Sequence, residues 1–534
     1  MNSNLPKYLR INLKMLTYTI GLIDKNLTKN YIGSRGIGGK IIYDEVLPST
    51  HPLSPLNKLI ISPGPATGSE MPTGARFMII TKSPLSNGIT SSSSGGSFGV
   101  HLKKNGYEVL IFEEKSDKPI YIYIKKDKIK ILPADELWGK TTSDTTNELI
   151  KTHGKNCKVL CIGPGGENLS LMAAIISDYD RACGRDGVGA VMGSKNIKAV
   201  VVNEDTNNTI YNLHQKEVKN QKIKIIKERI SKQDKTIKND PRFIRNSGCY
   251  RCPIACSKIV KNAHGKEVRG PEDITVSAFG KDLGTTDISY INYANELCNE
   301  YGLNTTATAA TIRCAIELYK NNYIKNEEIK SDGINLKYGD TKSILGWVSK
   351  IANNEGFGKM LNKGAHNLAI NYKAPHLYKN TRKKELSPYD TQENKSKESH
   401  IQVKLRNNYI NYKASQTKQY LDLLAALDSL GLCILSTSAL TLNDYVQMAN
   451  ACFNEDLFTE EILLKAGERI INTEKTYNIK SGNNIEDEVL HKMLLKDPSG
   501  ILKTNDNLYE LLSEYYKLRG WDNNGIPNQL SLDK

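Results

Sequence analysis

Long hydrophobic runs are missing from this 534-residue chain. A membrane-crossing helix needs about 18 or more apolar residues in a row, and the best candidate, near 424–442, contains Asp428 and several hydroxyl side chains. The start, Met1-Asn-Ser-Asn-Leu-Pro-Lys-Tyr8, lacks the basic-then-apolar pattern of a secretion signal. A soluble, cytoplasmic protein with no membrane partner is therefore expected. Cysteine is scarce too: ten in a chain of this length are too few for a disulfide scaffold, which fits a reducing compartment. The lysines behind the net charge of +15 are dispersed and not interleaved with aromatics on one strip, so a solvated basic surface is expected and no nucleic-acid partner. An acidic electron carrier suits that charge better. No internal repeat occurs.

What the chain does have is a cluster of three cysteines, Cys249-Tyr-Arg-Cys252-Pro-Ile-Ala-Cys256, set just after Asn246-Ser-Gly248. Thiolates this close can converge on one metal centre, and a cubane iron–sulfur cluster takes four, the fourth often from far along the chain. Cys433, in Asp428-Ser-Leu-Gly-Leu-Cys433, is the candidate fourth ligand. A structural zinc with four thiolates tolerates the same spacing and stays the alternative. The order is not the C-x3-C-x2-C of radical enzymes. The other cysteines, Cys157, Cys161, Cys183, Cys298, Cys314 and Cys452, fall in apolar contexts and read as packing residues.

Around this array the chain divides in three. Residues 1–204 read as a β-rich N-terminal domain of packed antiparallel sheets, since short apolar runs such as Phe77–Thr81 and Tyr107–Phe112 alternate with Gly, Pro and Asn. Residues 205–400 and 401–534 read as two mainly helical domains, the first with the cysteine array and the second with Cys433, giving an α+β class. Helices are expected at Ser289–Tyr301, Thr306–Lys320, Ser343–Asn353, Gly358–Asn371, Gln419–Leu430, Glu460–Ile471, Asp487–Leu495 and Asn507–Lys517. A helix around Val218–Ile230 and a loop over Lys379–Asn408 complete the reading. Gly-rich stretches at Gly33–Gly39, Ser91–Gly99, Gly163–Asn168 and Gly184–Asn196 are expected as turns whose N–H groups suit a large, phosphate-bearing ligand.

The ordered phrases of the chain resemble the tungsten-dependent aldehyde ferredoxin oxidoreductases over nearly its whole length. They are Leu53-Ser-Pro-Leu-Asn-Lys-Leu-Ile60, Thr73-Gly-Ala-Arg-Phe77, Thr81-Lys-Ser-Pro-Leu85, Leu137-Trp-Gly-Lys140, Ile162-Gly-Pro-Gly-Gly-Glu-Asn168 and Gly187-Val-Gly-Ala-Val-Met-Gly-Ser-Lys-Asn196. The helical part adds the cysteine array, Gly270-Pro-Glu272, Glu300-Tyr-Gly-Leu303, Asp428–Cys433 and Tyr515-Tyr-Lys-Leu-Arg-Gly-Trp-Asp522. The resemblance implies a tungsten held by the dithiolenes of two pyranopterins, with molybdenum as the alternative metal, a [4Fe-4S] cluster beside it, ferredoxin as electron acceptor and a homodimer. It makes Cys249, Cys252, Cys256 and Cys433 the cluster ligands. It places Arg76 and Arg185 near the cofactor phosphates, Gly95 in the turn that touches them and Ser93 toward a bridging magnesium. Asp428 would hydrogen-bond a pterin ring, and Asn299 and Asn304 would line the other.

The departures from the family pattern cluster near the chemistry. Gly270-Pro-Glu-Asp-Ile274 has an isoleucine where the family has a proton-transferring glutamate, and isoleucine is neither acid nor base. Asn299-Glu-Tyr-Gly-Leu-Asn304 replaces two aspartates with amides. The interval from Tyr389 to Gln419 is short and lacks the Arg-Gly-x-Cys-His phrase of the substrate site; its one histidine, His400, reads as a solvent-facing loop residue. A second shortening precedes Asn246. Tyr293 and Glu296 stand where some members bind an interfacial metal, so none is expected. The leading reading is an oxidoreductase that converts a small aldehyde to a carboxylic acid, with unassigned catalytic residues. The alternative is a degenerate member acting as an iron–sulfur relay or structural subunit; a zinc-bearing nucleic-acid binder is the third and least favoured reading.

Overall fold

The computed structural model describes residues 6–203, 242–262, 264–378, 380–381, 384–385, 414–453, 455–483 and 505–528. The helices expected around 218–230 and 487–495, most of the 379–408 loop, and His400 lie outside the described residues, as do the expected domain boundaries near 204 and 400.

The N-terminal part holds two six-stranded sheets. The first runs in the order β2-β1-β6-β3-β4-β5, with β1 Lys7–Asn12, β2 Thr17–Leu22, β3 Leu59–Pro63, β4 Phe77–Lys82, β5 Ile89–Ser94 and β6 Tyr107–Glu113. The second runs β11-β10-β9-β12-β7-β8, with β7 Ile120–Lys125, β8 Lys128–Pro133, β9 Cys157–Cys161, β10 Ile175–Ser177, β11 Arg181–Cys183 and β12 Ile197–Asn203. Leu59, Phe77 and Leu110 of the first sheet and Ile122, Leu160 and Val200 of the second share one core. The opposite face of the first sheet, with Ile60, Met78 and Ile80, is covered by the helix Ser34–Glu45 and by Ala425 and Ile470 from the helical part. Burial on both faces is why β3 and β4 are continuous apolar runs without alternation.

The α+β class stands, with one correction. The sheets are not purely antiparallel: β1 pairs parallel with β6, and β7 with β12. Each of those pairs is separated by enough chain to supply the crossover that a parallel pair requires, which short local runs cannot reveal. Three of the four Gly-rich stretches are corrected too. Gly33–Gly39 runs into the helix Ser34–Glu45, Gly163 begins a helical turn at Pro164–Glu167, and Gly184–Asn196 contains the helix Val188–Ser194. Glycine serves close packing there: a Cβ on Gly36 would sit 2.1 Å from the Tyr31 carbonyl oxygen.

The quoted phrases of this half meet one another as scaffold. Lys195 is buried and donates through Nζ to the carbonyls of Pro55 (3.1 Å), Asn57 (2.5 Å) and Glu114 (2.9 Å). Lys198 pairs with Glu167 and donates to the Lys140 carbonyl (2.8 Å), and Glu167 also accepts from the Gly139 N–H (2.7 Å). Each lysine thus joins two of the quoted phrases. Replacing Lys195 with Met strands three buried acceptors, at about 1–3 kcal/mol each before relaxation. A net loss of about 3 kcal/mol is expected, read as a lower urea midpoint.

Among the described residues the helical part has two cores. One joins Phe279, Ile291, Ile312, Trp347 and Leu368, from the helices Asp273–Phe279, Ile288–Tyr301, Thr305–Lys320, Thr341–Asn353 and Gly364–Asn371. The expected single helix 358–371 is broken at Gly364, which takes φ 81°. The other core joins Leu427, Leu430, Tyr445 and Leu463 of the C-terminal helices to Ile32, Ala66 and Met71. No helix among the described residues is long and apolar enough to cross a membrane.

Candidate functional site

The cysteine array forms the loop of a hairpin. β13 (Phe243–Ser247) pairs antiparallel with β14 (Ser257–Lys261), and Ser247 lies opposite Ser257, so residues 248–256 are closed into one turn. Within it the Cys252 N–H donates to the Cys249 carbonyl (3.0 Å). Arg251 and Ala255 take left-handed φ values of 50° and 45°, a conformation costing non-glycine residues roughly 1–2 kcal/mol each. The loop is docked on the turn after β5, where the Tyr250 N–H donates to the Gly96 carbonyl (3.2 Å). A Cβ on Gly95 would sit 2.4 Å from Cys249 Sγ, so this position requires glycine.

Cys433 arrives from the far end of the chain. The helix Ala414–Leu430 stops at Gly431, whose φ is 81°, and the chain turns so that the Gly431 carbonyl accepts from the Arg76 N–H (3.1 Å). Arg76 Nη2 reaches Cys433 Sγ at 3.4 Å. The Cys433 sulfur, then Cys249 and Cys256, hold this guanidinium above its ordinary basicity against the cost of burial. Burial pushes the Cys252 thiol up. Cys256 is exposed by surface area, yet enough protein surrounds its sulfur that desolvation, with Glu272 and the neighbouring thiols adding, pushes it up to about 11. Such thiols give up their protons to a bound cation.

All four cysteines line one cavity of about 300 Å³. Arg76, Gly95, Asn299 and Asn304 line it with them. So do Arg181, at the start of β11, and Arg269, at the end of β15 (Glu267–Arg269). Arg269 Nε is committed to Asp180 Oδ1 (2.7 Å). Arg181 is 9% exposed, and among the described residues its Nη2 has no hydrogen-bond partner; nor does Thr73 Oγ1 on the same wall. A buried guanidinium nitrogen without a hydrogen-bond partner, lining the same cavity as Arg76, is a donor that an anionic group satisfies. Ile274 also lines the cavity.

Among the described residues no three of His, Cys, Asp and Glu converge as ligands of a single metal ion. A tetrathiolate zinc keeps each sulfur about 2.3 Å from the metal, and a cubane takes one thiolate per iron; the sulfur side of the cavity offers four thiols to either.

Three expected site residues lie outside this lining. Arg185 follows β11, and its backbone N–H donates to Ser92 Oγ (3.0 Å). Ser93 is an exposed residue of β5 paired with Met78. Asp428 accepts from Arg35 Nη1 (3.0 Å), and the same guanidinium grips Glu474 through Nε (2.8 Å) and Nη2 (2.7 Å). Residue type alone does not separate Arg181 from Arg185. The short strand pairing β10 with β11, which turns Arg181 inward, does.

Comparison with known proteins gives the following. Residues 8–204 match the family model "Aldehyde ferredoxin oxidoreductase, N-terminal domain", and residues 188–534 match "Aldehyde ferredoxin oxidoreductase, domains 2 & 3". The tungsten-containing aldehyde ferredoxin oxidoreductase of Pyrococcus furiosus is 36% identical, covering 99% of this chain and 98% of its own. That of Thermococcus kodakarensis is 34% identical with the same coverage. The WOR-like subunit of an aliphatic sulfonate oxidoreductase from Pyrococcus furiosus is 27% identical over 65% of this chain and 64% of its own. The solved active site complex BamBC of benzoyl coenzyme A reductase shares the fold, with a TM-score of 0.85 at 22% identity, covering 99% of this chain and 96% of that one.

Proposed function

The chain belongs to the aldehyde ferredoxin oxidoreductase family, and from that premise we propose that it is a tungstopterin oxidoreductase carrying a [4Fe-4S] cluster. The observation that carries this reading is the meeting of Cys249, Cys252, Cys256 and Cys433 on the wall of one cavity that also holds Arg76 and Arg181. In this reading the four cysteines hold the cluster. Arg76 and Arg181 hold cofactor phosphates, Asn299 and Asn304 contact one pterin, and Asp428, aimed by Arg35, contacts the other. Magnesium bridging the phosphates is part of the same reading, with Ser93 and Arg185 as outer groups. A bound tungsten–dithiolene group would supply the two-electron redox chemistry that side chains lack.

The reaction proposed takes two electrons from an aldehyde, adds one water oxygen to its carbonyl carbon, and yields a carboxylic acid and protons. A bound cluster, held by Cys249, Cys252, Cys256 and Cys433, would supply one-electron chemistry, so that an acidic ferredoxin could be the acceptor, two molecules per aldehyde. Arg76, touching Cys433 and lying near Gly95, joins the sulfur side to the phosphate side. Ile274 contributes an apolar wall and moves no proton.

That isoleucine favours a second reading, an iron–sulfur relay without aldehyde oxidation. The two separate cleanly. Aldehydes added anaerobically to the holoprotein are expected to bleach its own iron–sulfur absorbance and then to reduce ferredoxin. Bleaching by dithionite but by no aldehyde would leave the relay.

A further inference from the structure

Positive charge is concentrated on the cysteine hairpin. From Phe243 to Arg269 its strands and turns carry Arg245, Arg251, Lys258, Lys261, Lys266 and Arg269 against one carboxylate, Glu267. Glu267 is taken by Arg245 (3.0 Å), and Arg269 is taken by Asp180 (2.7 Å). Among the described residues Arg251, Lys258, Lys261 and Lys266 make no ion pair. Arg251 stands inside the ligand loop, between Cys249 and Cys252, and is exposed. It keeps a left-handed φ of 50°, where glycine or asparagine is the cheaper residue. Its guanidinium lies 5.3 Å from the centre of the Tyr250 ring, and Lys104 Nζ, from the end of the helix Phe98–Lys104, lies 5.9 Å from the same centre. Two cations thus share one aromatic ring at the tip of the loop. The sulfurs behind them reach the surface on this side only: Cys256 is exposed and Cys249 and Cys252 are half-buried, whereas Cys433 is buried.

We propose that this tip, Arg251 with Tyr250 and Lys104, is the docking surface for a small acidic iron–sulfur protein of the ferredoxin type. The inference rests on the reading of the four cysteines as cluster ligands and says where electrons leave them. Charge complementarity selects the partner. Cations without carboxylates beside the sulfurs attract an acidic surface and steer it toward the ligand loop, and they repel a second copy of this basic chain. Charges placed this way act on the rate of association, and salt screens them.

The test is electron transfer from holoprotein, reduced with stoichiometric dithionite, to an oxidised acidic ferredoxin, followed by stopped flow with no aldehyde present. The second-order rate is expected to fall about tenfold from low salt to about 0.3 M salt. Arg251→Glu combined with Lys104→Glu should lower the low-salt rate at least about tenfold and remove most of the salt dependence, with iron content unchanged. Lys104→Glu alone, outside the ligand loop, should lower the rate about threefold, which decides the matter should the loop variant lose iron. Reduction of methyl viologen, a small cation, should not slow in either variant. Lys342→Glu combined with Lys359→Glu makes the same change in net charge at two exposed lysines of the first helical core and should leave the ferredoxin rate within about twofold. Variants of Arg251 and Lys104 that match the unmodified protein, or control lysines that cost as much, overturn this inference alone. Protein without iron–sulfur absorbance before mixing overturns the cluster reading and this inference together.

Discussion

Cys433→Ser is expected to abolish electron transfer to ferredoxin, a loss of at least a hundredfold, while leaving the protein folded. Serine is nearly the same size, and its hydroxyl can still accept from Arg76 Nη2, which now reaches Cys433 Sγ at 3.4 Å. Cys433 itself belongs to neither helical core cluster, although its neighbour Leu432 does, so a change of one atom there should leave the fold in place. What serine does not supply is a thiolate, and a cubane with three sulfur ligands loses iron or changes potential. The checks are iron per chain, visible charge-transfer absorbance and ferredoxin reduction, beside a melting curve. Cys452→Ser serves as the control and should keep its iron. A Cys433→Ser protein with full iron and undiminished ferredoxin reduction would show that the fourth ligand is elsewhere.

Asp422→Asn is expected to destabilise the C-terminal helices by about 3–5 kcal/mol, the usual cost of leaving one partner of a buried ion pair uncompensated. Asp422 and Arg519 side chains are 2% and 0% exposed, and Arg519 Nη1 donates to Asp422 Oδ1 at 2.7 Å. Arg519 Nε donates to the Tyr515 hydroxyl (2.6 Å), and Trp521 Nε1 to Asn472 Oδ1 (2.9 Å). The closing Arg-Gly-Trp-Asp phrase therefore clamps the helices Ala414–Leu430 and Glu460–Lys480. Those helices pack so tightly that a Cβ on Gly467 would sit 1.9 Å from the Asp422 carbonyl oxygen. Because the first of them delivers Cys433, partial iron loss should accompany the lower urea midpoint. The exposed pair Glu461–Lys465 sets the scale: Glu461→Gln should leave the urea midpoint unchanged. Equal effects for the two substitutions would mean that the buried clamp contributes nothing special.

The parts of this molecule legible in its sequence are those fixed by spacing along the chain. Three cysteines within eight positions can only share a turn, and the strands Phe77–Lys82 and Tyr107–Glu113 announce themselves by apolar β-branched and aromatic runs. What spacing cannot give is which of two nearby groups faces inward. Arg181 and Arg185 differ by one helical turn's worth of sequence, and only the pairing of β10 with β11 decides between them. Glycine is ambiguous for a similar reason: it marks a phosphate-binding turn and a tight helix contact alike, and Gly36 and Gly38 prove to be contacts. The parallel pairs β1–β6 and β7–β12 depend on chain passing between them, which no local pattern encodes. At Asn304 residue type shows only that an amide stands there, whereas the cap geometry at the start of the helix Thr305–Lys320 shows its acceptor already spent.

The central claim, four thiolates around one cubane beside a cavity for a tungsten–pterin group, is tested most directly by elemental analysis of anaerobically purified protein. About four iron and about one tungsten per chain are expected, with no stoichiometric zinc. About one zinc per chain, without iron and without visible absorbance, would contradict it.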